Sequence, residues 1–358
     1  MNKVYFFSRY GSYAASSRLR FEAVAQKINL QDYDIVVSPL FKFDYLSFSG
    51  FVYKPFLFVY FLLSYIKRIF LLFKLSVNEI AFIQYELFPF VPPFFESYLH
   101  KKRVKLIFDF DDAFFHSYDN FKGNIYFNAL RKKYAYTIGI ADHVITGSPY
   151  LSSFALALTS SVTEIPTCVT TLNDNPFPET VQGDPFTIGW IGSSSTSKYI
   201  NLIEKPLNEF LRNYSSKLIL IGYGGAAFQN QHNVQLIDWS DKNEHIFLPK
   251  IDVGIMPLTD DKWSRGKCGF KLIQYMSYGK PTISTPLEAN IKIDGSSGNL
   301  FASSEAEWFE ALLSVYFNID KYQLVGNKNI NRVAQNYLLD VVIPKYESIF
   351  KNYLNVQN

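Results

Sequence analysis

The stretch RGKCGFKLIQYMSYGKP, Arg265 to Pro281, sets Arg265, Lys267 and Lys271 around Gly266 and Gly269 where a helical pattern opens. Such a constellation suits an anion. The first turn of a helix leaves N–H groups without partners, the dipole ends positive there, and glycine lets backbone approach closely. The chemistry implied is the holding of a diphosphate. The helix is expected to begin near Cys268, and if it starts early Lys267 and Lys271 stand one turn apart on one face. Gly279 then reads as the residue past the helix end and Pro281 as the opening of the next strand. The bland alternative is solvated cations flanking a surface helix, and the early glycines speak against it.

A weaker version stands at the N-terminus. The run KVYFFS leads into RYGSYAASSRLR, so Gly11 and Ser12 follow a first strand, and a helix carrying Arg18 and Arg20 begins near Ala15. Carboxylates collect elsewhere: IFDFDDAFFH closes an apolar run with Asp109, Asp111 and Asp112, and His116 lies just beyond. Asp111 or Asp112 suits an acceptor-side base or orienting group, and Asp112 equally suits capping of a helix N-terminus. Glu86, in IQYELFPF, ends a strand at the same edge and reads as an unpaired, functional carboxylate. His116 by itself reads as a solvated loop histidine.

These residues need a scaffold that brings strand ends together. Short runs rich in β-branched and aromatic residues alternate with amphipathic segments: KVYFFS, DIVVSP, IAFIQYE, VKLIFDF, HVITGS and VTEIPT, then FTIGWIGS, KLILIGYG, VQLIDW, IDVGIMP and PTISTP. This alternation predicts parallel sheets with crossover helices, an α/β class with ligands at the carboxyl edges of the strands. A Pro-, Asn- and Asp-rich stretch from Thr170 to Pro185 divides the two sets and reads as a linker. At 358 residues and 48% hydrophobic composition, the chain has the size and apolar content for two cores. A net charge of +3 without a basic stripe argues against nucleic acid as a partner. Two distant cysteines without a CxxC pattern point to a reducing compartment and away from zinc, and no signal-peptide core is apparent, so the expected location is the cytoplasm.

One segment departs from the alternation. KPFLFVYFLLSYIKRIFLLFK, Lys54 to Lys74, is apolar nearly all round, with Tyr60, Ser64, Lys67, Arg68 and Lys74 along a narrow stripe. Its uncharged part, Pro55 to Ile66, is short for a spanning helix, which needs about 20 residues. The readings left are a core helix or an interfacial one with cations at anionic headgroups.

DVGIMPLTDDKWSRGKCGFKLIQYMSYGKPTIST, IGWIGSSSTSKYI and DFDDAFF together resemble bacterial family-four glycosyltransferases of the GT-B fold, retaining enzymes that build surface polysaccharides such as lipopolysaccharide or capsule. The resemblance implies two facing Rossmann-like domains, here 1–175 on the acceptor side and 176–340 on the nucleotide-sugar side. It also implies a C-terminal helix, 341–358, returning to the first domain. The implied partners are a UDP- or GDP-type donor, a lipid-linked or glycan acceptor, and the inner face of the cytoplasmic membrane through residues 54–74. No cofactor and no metal are implied, which demotes the Asp109–Asp111 pair as a metal site. Taken together with the residue reading above, the donor-binding set is Gly11, Ser12, Gly192, Ser193, Lys198, Lys267, Gly269, Phe270 and Gln274, with Ser193, Lys198 and Gln274 carried over from the resemblance. The catalytic set is Asp111, Asp112, Arg265 and Lys271, and the acceptor side holds Arg18, Glu86 and His116. The family's two glutamates fall on Gly266 and Gln274, and Asp260 or Asp261 is the candidate for the lost carboxylate. A nucleotide-sugar epimerase and a non-catalytic assembly scaffold are the competing functions.

Overall fold

The computed structural model describes residues 2–30, 33–44, 54–172, 185–228 and 231–354. The predicted linker between Thr170 and Pro185 lies largely outside them. Two compact units emerge: residues 1–168, 266–268 and 342–358 form one, and 169–265 with 269–341 form the other.

The first unit carries strands β1 (Asn2–Phe7), β2 (Tyr33–Val37), β3 (Ile80–Gln84), β4 (Lys105–Phe110), β5 (His143–Thr146) and β6 (Val162–Glu164). All neighbours are parallel, in the order β2-β1-β3-β4-β5-β6. β3 reads IAFIQ with every residue buried, as expected for a central parallel strand covered on both faces. The chain winds outward from β1 to β2 and then returns past β1 to β3, so the topological switch lies between β1 and β3. The covering helices include α1 (residues 15–27), α2 (Lys54–Lys74), α3 (Phe94–Lys101), α4 (Ile125–Arg131) and α5 (Pro149–Leu156). The middle turn of α1, Arg18–Glu22, is π-wound. The C-terminal segment also packs here: Phe350 meets Phe6 and Phe82 with ring centroids 5.7 and 5.4 Å apart, and Tyr353 Oη donates to the Asp142 carbonyl at 2.6 Å.

The second unit holds β7 (Phe186–Ile191), β8 (Ser216–Ile221), β9 (Val234–Ile237), β10 (Val253–Met256), β11 (Thr282–Ser284) and β12 (Leu300–Phe301). This sheet is also parallel, ordered β12-β11-β10-β7-β8-β9, with its switch between β7 and β10. Helices α6 (Asp241–Phe247), α7 (Lys262–Arg265) and α8 (Phe270–Ser277) surround its carboxyl edge. Helix α8 is pinned to the sheet by Tyr275, whose hydroxyl accepts from the Ile191 N–H at 2.9 Å. The ring lies so close over β10 that a Cβ on Gly254 would meet it at 2.3 Å. The last helix, α9 (Leu339–Leu354), begins in this unit and continues among the residues of the first.

Candidate functional site

In the first unit the carboxyl edge is dense with buried charge. Asp109, the last polar residue of β4, receives both Nε (2.8 Å) and Nη2 (2.6 Å) of Arg20. Arg20 also donates Nη1 to the Ile165 carbonyl at 2.8 Å. The π turn of α1 carries Arg20, and the two side chains are fully buried. Asp109 is therefore the counterion of Arg20. Asp111 is buried and accepts from Tyr85 Oη. Tyr85 itself stands at φ 59°, a left-handed backbone directly after β3, the kind of local strain that concentrates at functional edges. Asp112 is half-buried, with Lys267 Nζ 3.5 Å from its Oδ1. Burial pushes the Asp112 carboxyl up to about 6; the neighbouring Asp111 charge adds to this, and Lys267 opposes it.

Three expectations are corrected at this edge. Glu86 is not unpaired: Lys133 Nζ donates to it at 2.6 Å, Tyr118 Oη at 2.9 Å, and Arg9 Nη1 lies at 3.6 Å. Lys133, buried within an apolar helix, was the missing partner and also holds the Phe88 carbonyl at 2.6 Å. His116 is not solvated; its ring is clamped between Asp119 (2.6 Å) and Tyr150 Oη (2.9 Å). Lys267 precedes helix α8, which starts at Phe270 after Gly269 in the left-handed region (φ 65°). Lys267 and Lys271 thus share no helical face, and Lys267 belongs to the first unit while Lys271 belongs to the second.

The remaining first-unit candidates are placed as follows. Gly11 donates its N–H to the Phe41 carbonyl at 2.9 Å, and a side chain there would run into the Lys42 carbonyl at 2.9 Å. Arg18 Nη1 donates to the Ser12 carbonyl at 3.0 Å. A Cβ on Gly266 would sit 2.4 Å from that of Ala113, so the carboxylate expected there from the resemblance has no room.

In the second unit the candidates gather around the switch between β7 and β10. Gly192 and Ser193 follow β7, and Ser193 forms a capping box with Thr196, its N–H donating to Thr196 Oγ1 at 2.9 Å. Lys198 is exposed and lies 5.0 Å from the Tyr199 ring centroid. Lys271 Nζ stands 4.6 Å from the ring centroid of buried Trp190. Arg265 at the end of α7 grips Asp260 with Nε (2.5 Å) and Nη2 (3.0 Å), and its side chain is 53% exposed. Asp261 is occupied locally, accepting the Ser264 N–H at 2.8 Å and the Thr259 hydroxyl. Gln274 donates to Glu244, which also receives Trp239 Nε1 at 3.3 Å. Burial raises the Glu244 carboxyl, with Gln274 and Trp239 opposing. Sequence reading missed Glu244; its only local signal was its place in an acidic first turn after the Ser240 cap, which reads as ordinary capping. Among the described residues no group of three His, Cys, Asp or Glu could hold a metal ion.

Helix α2 needs a further correction. By length and composition its residues Pro55–Lys74 are apolar enough to cross a membrane, contrary to the expectation drawn from the shorter uncharged part. Arg68 does not line a solvent-facing stripe. It is buried, lies 5.2 Å from the Phe7 ring centroid and donates to the carbonyls of Ser8 (2.9 Å), Leu87 (3.4 Å) and Ser38. Burial pulls its guanidinium down to about 9. Phe58, Val59, Leu62, Leu63, Phe70 and Phe73 are exposed, and so are Lys67 and Lys74.

Residues 185–318, which apart from 266–268 belong to the second unit, match the family model described as "Glycosyl transferases group 1". No curated protein matches the sequence. Among solved structures, sucrose-phosphate synthase from Thermosynechococcus elongatus superposes with a TM-score of 0.70 at 10% identity, covering 100% of both chains. HepE from Anabaena, in complex with UDP and glucose, gives 0.66 at 9% identity over 98% of this chain and 100% of its own. A glycosyltransferase from Rickettsia africae gives 0.64 at 13% identity over 99% and 100%. The fold is α/β of the GT-B type, and the enzyme is a glycosyltransferase.

Proposed function

We propose that the enzyme transfers a sugar from a UDP- or GDP-linked donor to a lipid-linked or polysaccharide acceptor, with retention, at the cytoplasmic face of the membrane. The observation that carries this reading is the β7–β10 switch point: the residues matched by the family model include, after β7, the exposed hydroxyls of Ser193, Ser194 and Ser195 with Lys198 and, after β10, Lys271 in the first turn of α8. Breaking a sugar–phosphate bond builds negative charge on the leaving diphosphate, so cations and N–H groups fixed beforehand around it supply the largest catalytic effect. Lys271 is held against Trp190, and Arg265 is held in a fork by Asp260. An exposed pair of that kind is weak, so a phosphate can displace the carboxylate. Asp112, raised toward neutrality, suits the acceptor-side proton.

The membrane part of the reading rests on α2. Arg68 is tied to three backbone carbonyls, and Leu72 is buried with Tyr65 and Ile69 packed on the core. The helix therefore stays with its unit and offers its other apolar face to lipid, lying along the surface rather than crossing it.

The test is nucleotide release from UDP- and GDP-sugars with and without lipid-linked acceptor. Acceptor-dependent release supports transfer. An isomerised donor would point to an epimerase, and binding without turnover to a scaffold.

A further inference from the structure

We infer that the membrane-facing surface of the first unit extends beyond α2 to a second contact presenting Phe90, Phe94 and Ile125; this rests on the membrane reading of α2 given above. Phe90 is 58% exposed, Phe94 67% and Ile125 88%. Single exposed apolar residues are common on soluble proteins, but these are held in place by specific devices. Phe90 has φ 59°, a left-handed backbone that a bulky side chain seldom adopts. Three tyrosine hydroxyls fix that backbone: Tyr118 accepts the Phe90 N–H at 2.8 Å, Tyr126 donates to the Phe90 carbonyl, and Tyr65 of α2 donates to the Pro89 carbonyl at 2.8 Å. Ile125 opens α4, whose cap Asn124 accepts the N–H groups of Tyr126 (3.1 Å) and Phe127 (3.3 Å).

The charges nearby select the occupant. Lys122, three residues before Ile125, and Arg131 and Lys132, at the far end of α4, are exposed, and Asp119, the nearest acid in sequence to Lys122, is engaged by His116. The α2 sequence contains Lys67 and Lys74 and no Asp or Glu. Exposed apolar tips on segments that also carry exposed cations match a bilayer interface with anionic headgroups. Tyr65 joins the Phe90 loop to α2, so two contacts together would fix the rotation of this unit on the bilayer. Tyr118 ties the same loop to Glu86 at the sheet edge.

The experiment uses the full chain with vesicles of phosphatidylcholine, pure or mixed with phosphatidylglycerol. Co-sedimentation compares wild type, Phe90→Ser, the triple variant Phe90→Ser/Phe94→Ser/Ile125→Ser, and Lys67→Glu/Lys74→Glu. In parallel, Phe90→Cys carries an environment-sensitive fluorophore, the native thiols Cys168 and Cys268 being buried. We expect the triple variant to partition roughly tenfold more weakly onto mixed vesicles, and the label to shift to the blue when they are added. The lysine variant should lose binding to mixed vesicles and little to pure phosphatidylcholine. Wild type that does not pellet would end the α2 reading and this inference with it. Wild type and triple variant pelleting equally, with the label unmoved, would overturn this inference alone. A label that shifts with protein concentration in the absence of lipid would also overturn it, assigning the surface to a second copy of the chain.

Discussion

The carboxyl edges of the two sheets, alike in topology, treat charge in opposite ways. At the first, Arg20 holds Asp109, Lys133 holds Glu86 and Tyr85 holds Asp111, all deep in the unit. At the second, Ser193 and Lys198 are exposed, and Arg265 is matched by an acid that is itself exposed. Buried pairs cost desolvation and give back geometry, so the first edge is a rigid frame. The second keeps hydration to exchange for a ligand, the condition for binding an anion whose charge rises as the reaction proceeds.

The comparison is broken most forcefully at Lys133. Lys133→Met should destabilise the protein by about 3–5 kcal/mol in urea unfolding, because it strands Glu86 in the interior, and adding Glu86→Gln should recover much of the loss. A cost below about 1 kcal/mol, as for a surface pair, would mean that the first edge is not held by its charges. Next comes the second edge. Lys271→Ala should lower kcat/KM roughly a hundredfold, near 3 kcal/mol, with thermal stability unchanged. Arg265→Ala should cost roughly tenfold, since Asp260 already competes for its fork. Wild-type kinetics in both variants would remove this edge from the diphosphate. A smaller effect sharpens the contrast at Asp112, a half-buried acid of the first edge. The Asp112 carboxylate is the proton-accepting form, present above its pKa of about 6 and lost below it. Activity on a soluble acceptor should therefore fall as pH drops through that value, and Asp112→Asn should lack this limb of the profile; an unchanged limb would assign the titration to another group. The smallest expected effect is none: activity should survive EDTA if protein cations neutralise the leaving group. Loss restored by Mg²⁺ or Mn²⁺ would return the acidic edge to consideration as a metal site.

The strands were legible because their signal is local. KVYFFS through VTEIPT and FTIGWIGS through PTISTP all contain strands, and among the described residues only the two-residue edge strand Leu300–Phe301 escaped. Pairing is not local. Arg20 meets Asp109 across 89 residues, Lys133 meets Glu86 across 47, and Gln274 meets Glu244 across 30. No spacing rule links such positions, so Glu86 looked unpaired and the role of Asp109 as counterion of Arg20 stayed hidden. Arg68 misled for a different reason. A helical wheel gives the angle of a side chain and not what lies opposite it, and opposite Arg68 are the carbonyls of Ser8, Ser38 and Leu87.

The contact between Tyr275 and Gly254 has an evolutionary consequence. The ring occupies the space a Cβ at residue 254 would need, while its hydroxyl holds the end of β7. Neither residue can change first without loss: an alanine at 254 collides with the ring, and a smaller residue at 275 opens a void and releases the Ile191 N–H. The two positions should therefore be inherited as a pair, and divergence in this domain should pass around them, through the exposed loops at the carboxyl edge of the sheet.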